Sequence, residues 1–267
     1  MKNSLKWLIL VVGVAGVAAI VYNKWQSTQS VLQTQSAAPA EQPPAPAAKI
    51  EPPPIRYPVG DASTAVAKPL PALPESDSAA QVALLGLVGQ KPVTDFVQSS
   101  DIVRRIVATV DNLAREKVAL RLMPVKSVPG KFATTKDGDS FVISPDNAAR
   151  YTPYVRLMEA VDAKKLGVTY IQFYPLFQQA YKELGYPKEY FNDRLVDVID
   201  HLLAAPDIKW PIKLVRPKVM YEFADPQLEA LSAGQKIMIR MGSDNAAKVK
   251  MKLREIRSEL SSQATKQ

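Results

Sequence analysis

Residues 190–203 read Tyr190-Phe-Asn-Asp-Arg-Leu-Val-Asp-Val-Ile-Asp-His-Leu-Leu203, with three aspartates and the only histidine of the chain. On a helix, Phe191, Leu195, Val198, Ile199 and Leu202 share one face. Asp193, Asp197 and Asp200 recur at i, i+4 and i+7 on the opposite face, beside Arg194 and His201. The periodicity predicts an amphipathic helix over 188–204, stopped before Pro206, with its acids on a solvated face. Like charges at i, i+4 cost roughly 0.2–0.5 kcal/mol in an isolated helix. A cationic neighbour relieves that cost, and Lys209, Lys213, Arg216 and Lys218 follow directly. Asp197 and His201 have a spacing from which one helix can grip a metal, but neither a second histidine nor a general base accompanies them. The sequence therefore assigns no metal and no catalytic residue. Asp193, Asp197, Asp200 and His201 stand as the alternative polar site, the place where an envelope hydrolase would be built.

The flanking sequence extends the helical reading on both sides. Glu75-Ser76-Asp77 caps a helix over 79–88, a second begins at Pro92, and Ser100-Asp101 caps a longer one over 102–118 with Arg104, Arg105, Asp111 and Arg115 outward. Phe132-Ala-Thr and Phe141-Val-Ile flank Lys136-Asp-Gly-Asp139, a hairpin signal. Ser144-Pro145-Asp146 opens a helix to about 162. The next covers 165–184, kinked or broken at Pro175 and closed by Gly185. Residues 213–223 are extended, Asp225-Pro226 starts a short helix to 231, and Ser243-Asp244 caps a last one over 245–260. The expected fold is mainly α: about eight helices and one small β-hairpin in a single domain over 75–262, with a disordered tail at 263–267. Gly138-Asp-Ser-Phe141 is similar to the nucleophile block of GDS-type lipases, but Val198 stands where that family has the aspartate three residues before its histidine, here His201.

Tyrosine and phenylalanine crowd residues 151–191. The plain reading is core packing with phenol groups at the rim. The sharper one is a groove for a peptide or sugar chain, and its partner face comprises Tyr151, Tyr154, Arg156, Tyr170, Tyr174, Tyr181 and Tyr186. The formal charge is +8; six of the 34 basic and three of the 26 acidic residues precede residue 75, which leaves +5 on the folded part. Much of that sits on the last helix, at Lys248, Lys250, Lys252, Arg254 and Arg257. Such a face is either solvated or turned toward anionic envelope material. The chain lacks cysteine, which excludes thiol nucleophiles, disulfides, thiolate metal sites and an N-terminal lipidated cysteine. No cofactor is implied.

The N-terminus speaks to location. Trp7 to Tyr22 reads WLILVVGVAGVAAIVY without a charge, between Lys2 and Lys6 on one side and Lys24 on the other. Sixteen helical residues span ~24 Å against a bilayer core of ~30 Å, and flanking lysines and interfacial Trp7, Tyr22 and Trp25 extend the reach. The positive excess before the span places residues 1–25 as an anchor with its N-terminus in the cytoplasm. A cleaved signal peptide ending at Val17-Ala-Ala19 is the competing reading; both export the rest. Residues 26–74 hold eleven of the 22 prolines and read as a disordered tether reaching on the order of 150 Å when extended.

Five blocks carry a family resemblance: Arg150-Tyr-Thr-Pro-Tyr-Val-Arg-Leu-Met-Glu-Ala-Val-Asp162, Tyr174 to Pro187, Tyr190 to Leu203, Lys218-Val-Met-Tyr-Glu-Phe-Ala-Asp-Pro226, and Leu231 to Gly242. In this order they resemble the bacterial family known as domain of unknown function 3014, over about 80–260. The resemblance implies an N-terminal membrane helix, a proline-rich stretch and then this domain, and carries no catalytic residues. The expectation is a single-pass protein of the bacterial inner membrane. Its C-terminal domain would lie in the periplasm and contact an envelope protein or cell-wall polymer, not nucleic acid.

Overall fold

The computed structural model describes residues 53–59, 69–138 and 140–264. The span expected at 7–22, most of the expected tether and residues 265–267 lie outside the described residues. Among the described residues the chain is mainly helical, with nine α-helices and a four-stranded antiparallel sheet. None of those helices is long and apolar enough to cross a membrane.

A 3-10 turn at Leu73–Glu75 leads into α1 (Asp77–Val88), α2 (Gln90–Phe96) and α3 (Ile102–Leu113). The hairpin β1 (Thr134–Asp137) and β2 (Ser140–Ile143) follows, then α4 (Asp146–Ala160), α5 (Ala163–Glu183) and α6 (Phe191–Leu203). Strands β3 (Lys213–Val215) and β4 (Glu222–Phe223) precede α7 (Pro226–Glu229), α8 (Ala233–Arg240) and α9 (Ser243–Ala264). Helices α3, α5, α6 and α9 pack on one another. They enclose the main core, centred on Val103 and Val107 of α3, Phe173 and Tyr181 of α5, Phe191 and Val196 of α6, and Leu253 of α9. Helix α9, at 22 residues ~33 Å long, also lies along α4.

Four expectations change. The hairpin forms with Gly138 at φ 58, but its second strand also pairs with β3, in the register Phe141↔Leu214, and β3 pairs with β4. The result is one sheet in the order β1-β2-β3-β4, where the sequence shows only a hairpin and an extended run. Its inner side, with Ile143, Leu214 and Phe223, closes a second small core against Ile239 of α8. Helix α8 itself is absent from the sequence reading. Helix α3 stops at Leu113, not 118, and the next carbonyls turn outward to other elements: Ala233 N donates to Arg115 O at 2.7 Å. Helix α5 continues through Pro175, which is exposed. The ~3 kcal/mol cost of an interior proline is outweighed by buried Phe173 and Leu176 on either side.

Capping also differs. Asp101 precedes α3 with a left-handed φ of 52 and makes no side-chain cap. Instead Asp77, from the first turn of α1, accepts from Asp101 N and Ile102 N, both at 2.8 Å. One carboxylate thus satisfies two of the orphan donors of α3 and ties α1 to it.

Helix α8 crosses α3 and α6 at Gly234. A Cβ there would meet Leu202 Cδ2 at 2.5 Å and the Leu113 carbonyl oxygen at 2.7 Å. Gly234→Ala should therefore lower the unfolding free energy by about 1–3 kcal/mol, read by denaturant titration. An unchanged midpoint would mean that the crossing is looser than this.

Candidate functional site

Helix α6 is buried on more sides than its wheel suggests. Asn192 and Asp193 are 1% and 8% exposed. The acidic side is covered by residues 53–59, a strap in what the sequence reads as tether. Asp193 Oδ2 accepts from Arg56 N at 3.0 Å and Oδ1 from Tyr57 N at 2.8 Å. Asn192 Nδ2 donates to Tyr57 O at 2.8 Å, while its Oδ1 accepts from the Tyr170 hydroxyl at 2.9 Å. Two adjacent side chains therefore hold the main chain of the strap in both hydrogen-bonding senses. The Arg56 guanidinium forks onto Asp197 at 2.9 and 2.5 Å. That bond holds the Arg56 pKa above its ordinary value.

The expected solvated acidic face is corrected at Asp193, which is buried, while Asp197 and Asp200 stay about half exposed; the three aspartates and the histidine are each engaged, by partners other than the basic residues that follow. Asp200 is paired with Arg257 of α9 at 2.5 and 2.9 Å. His201 Nε2 shares a 2.8 Å hydrogen bond with Ser232 Oγ, which also caps α8 by accepting from Gln235 N. The alternative polar site is thereby divided among the strap, α9 and the start of α8. Among the described residues no group of three or more His, Asp or Glu side chains could hold a metal ion.

The tyrosine face also divides. Tyr170 and Tyr181 are 8% and 1% exposed and belong to the core. Tyr170 stacks on Phe177, Phe177 on Phe191, and Tyr181 on Tyr186 with centroids 4.5 Å apart. The Tyr174 hydroxyl donates to Gln178 Oε1. Tyr151 and Tyr154 lie on α4, away from this stack: Tyr154 meets Phe96 edge-on and donates to the carbonyls of Lys126 and Ser127. Arg156 is exposed. The basic face of α9 is largely used inside the fold, through Lys248 with Glu159, Lys250 with Ala205 O and Asp207, Lys252 with Val161 O and Glu255, and Arg257 with Asp200.

The two candidate sets do meet in one place. A cleft of about 470 Å³ opens between the strap, the last turn of α3, the α5–α6 loop and the first turns of α6. Tyr181 and Tyr186 from one set and Asp193 and Asp197 from the other line it, together with Pro53, Pro54, Arg56, Asp111, Glu189, Tyr190 and Arg194. Asp111 at its base is buried, against the expected outward position. It accepts from Arg194 Nε at 3.0 Å and Arg115 Nη2 at 2.7 Å. Its charge raises the Arg115 pKa. Arg115 and Tyr186 share a short hydrogen bond. Four acids line the cleft against Arg56 and Arg194, so it is acidic on balance and aromatic on one wall. Such a site can hold cationic and apolar groups together. The sequence reading misses Arg56, Asp111, Glu189, Tyr190 and Arg194. Its available signals were a lone arginine inside a proline run and an aspartate inside an apolar helix.

A family model described as "Protein of unknown function (DUF3014)" matches residues 102–257. The chain belongs to the DUF3014 family. This bears out the resemblance drawn from the five sequence blocks. Neither the curated proteins nor the solved structures hold a match to the chain. The DUF3014 match begins at the first residue of α3, so the strap and α1 lie outside it. One wall of the cleft is DUF3014 domain and the other is the segment that precedes it.

Magnitudes identify which contact secures the strap. The Arg56–Asp197 pair is about half exposed, 54% and 43% for the side chains, and is worth at most about 1 kcal/mol. Asp193 is buried and accepts two main-chain N–H groups, each such bond to a charge worth about 1.5–3 kcal/mol. Asp193→Ala should open the bond after Arg56 to trypsin while Asp197→Ala leaves it protected; equal cleavage rates would disprove this ranking. Burial also raises the phenol pKa of Tyr170, Tyr174 and Tyr181, Tyr174 to about 12 from an ordinary 10.0. The fold favours the neutral phenol, so this stabilisation is complete below pH ~10 and lost as pH rises through ~12. Burial raises Tyr151 and Tyr154 in the same direction, so absorbance titration of phenolate should show five late tyrosines, with ionisation of the core members Tyr170 and Tyr181 accompanying unfolding.

Proposed function

We propose that this DUF3014 chain is a single-pass protein of the bacterial inner membrane that presents a binding domain to the periplasm. Residues 7–22 cross the bilayer, residues 26–52 act as a tether, and the domain serves a binding or scaffolding role toward an envelope partner. The observation that carries the binding reading is the seating of the strap. Asn192 and Asp193 meet the strap at the bend of its main chain, through one carbonyl and two N–H groups, the way a groove holds a peptide backbone. The adjoining cleft adds Tyr186, Glu189, Tyr190 and Asp197. A polypeptide with a basic side chain suits this lining better than an acidic polymer. A tether raises the local concentration of such a domain at the membrane surface without fixing its orientation.

Catalysis is the weaker reading because the groups on α6 that would perform it hold the fold together. Removing Asp200 or His201 breaks a side-chain tie of α6 to α9 or to the start of α8.

The test joins topology to contact. Alkaline phosphatase fused after Gln267 should be active in cells while green fluorescent protein at the same site stays dark. A photo-crosslinking amino acid at Tyr190 should give one recurrent adduct, lost with Glu189→Lys plus Asp197→Lys, while the same group at Lys91 on α2 gives none. A fluorescent, phosphatase-negative fusion would remove the membrane placement. Identical adducts from both positions would remove the cleft.

A further inference from the structure

The β3–β4 hairpin has an outer surface that the fold leaves uncovered. Strand β3 turns Leu214 inward, 3% exposed, and Lys213 and Val215 outward. The connection to β4 reads Arg216-Pro-Lys-Val-Met-Tyr221. In it Val219 and Met220 are 76% and 75% exposed, the highest values of any large apolar side chain among the described residues. They are consecutive, and Val215 in the same hairpin is 44% exposed. Isolated exposed apolar residues are ordinary on a protein surface, whereas three in one hairpin with basic flanks are not.

The loop is held in this form. Arg216 Nε donates to Val219 O at 3.2 Å, and the guanidinium lies over the Tyr221 ring, 5.4 Å from its centre. Tyr221 packs on Phe141 and Phe132 at the edge of the second core. Val219 and Met220 project from a preformed turn and incur little ordering cost on contact. Lys213, Arg216 and Lys218 are exposed around them, with no acid between residues 213 and 221. The acids on the described strands are Asp137 and Glu222.

We propose that this hairpin tip inserts into an anionic lipid bilayer, with Val219 and Met220 entering the acyl boundary and Lys213, Arg216 and Lys218 at the phosphate level. Apolar tip and cationic collar together are the chemistry of an interfacial lipid contact. The contact makes the domain lie against the membrane surface. It stands on the hairpin alone and does not require the N-terminal span.

The chain has no cysteine, so Val219→Cys in the full-length protein takes a single environment-sensitive dye. With phosphatidylcholine vesicles containing phosphatidylglycerol, its emission should shift to the blue and iodide quenching should fall. With phosphatidylcholine alone it should remain as in buffer. Lys213→Gln with Lys218→Gln should shift the inserted fraction back about thirtyfold, from two lost attractions. Flotation of the same protein through high salt with phosphatidylcholine vesicles reports the span separately, so the two readings fail independently. A dye at Met220→Cys repeats the measurement should the first variant misfold. Emission that does not distinguish the two lipids, or that stays water-like in both, overturns the proposal.

Discussion

A carboxylate leaves water at acceptable cost only when its oxygens are met by donors, and Asp193 at the first turn of helix α6 imposes that condition. The apolar face of the helix enters the main core, and its polar side is covered at Asn192 and Asp193 and ion-paired farther along, at half-exposed Asp197 and Asp200. Everything around it is arranged as donors. The strap supplies two N–H groups and a guanidinium to Asp193 and Asp197, and α9 supplies Arg257 to Asp200. Arg194 is itself spent on buried Asp111 of α3. The helix that carries three aspartates and the only histidine of the sequence is therefore a hub of the bundle, and its charges help specify which neighbour sits at which turn.

A few buried polar side chains join the bundle to the sheet in the same way. Asn147, fully buried, donates to Arg240 O at 2.8 Å and accepts from Ala133 N at 3.2 Å and Arg150 Nη1 at 2.6 Å. It links the approach to β1, the first turn of α4 and the end of α8. Lys236, 8% exposed, donates to Glu229 Oε1 and O, and Glu229 Oε2 accepts from Phe223 N on β4. Lys250 of α9 donates to Ala205 O, just beyond α6. Each unit leaves hydrogen bonds unmet unless the others are in place, so sheet and bundle are expected to form together.

Local chemistry was legible in the sequence, and partnership across distance was not. Gly138, Ser144-Pro145, Asp225-Pro226 and Gly185 mark turns and ends because proline and glycine restrict the backbone wherever they stand. The wheel of 190–203 located the apolar face but assigned water to Asp193, which the fold covers, since the covering atoms come from 136 residues away. Asp111 looked outward for the same reason: its partner Arg194 is 83 residues on. Strand β3 was visible only as extended chain because its pairing with β2 spans three intervening helices. Helix α8 is short, and Gly234 at its start weakens any periodic signal. The close approach to α3 and α6 that requires the glycine belongs to tertiary packing. The cleft escaped notice because one of its walls, Pro53, Pro54 and Arg56, comes from a run whose prolines argue for the absence of structure.

The strap has a mechanical consequence. A pull applied to the chain ahead of residue 53 reaches the domain first at Arg56 and Tyr57, not at Leu73. Load enters at the N-terminal turn of the central helix, through two parallel N–H bonds and a carbonyl bond anchored in the core. Tension shared among bonds in parallel resists far better than bonds broken one after another. Helix α1, which a pull from Leu73 would reach first, lies behind that junction and carries no load until it gives.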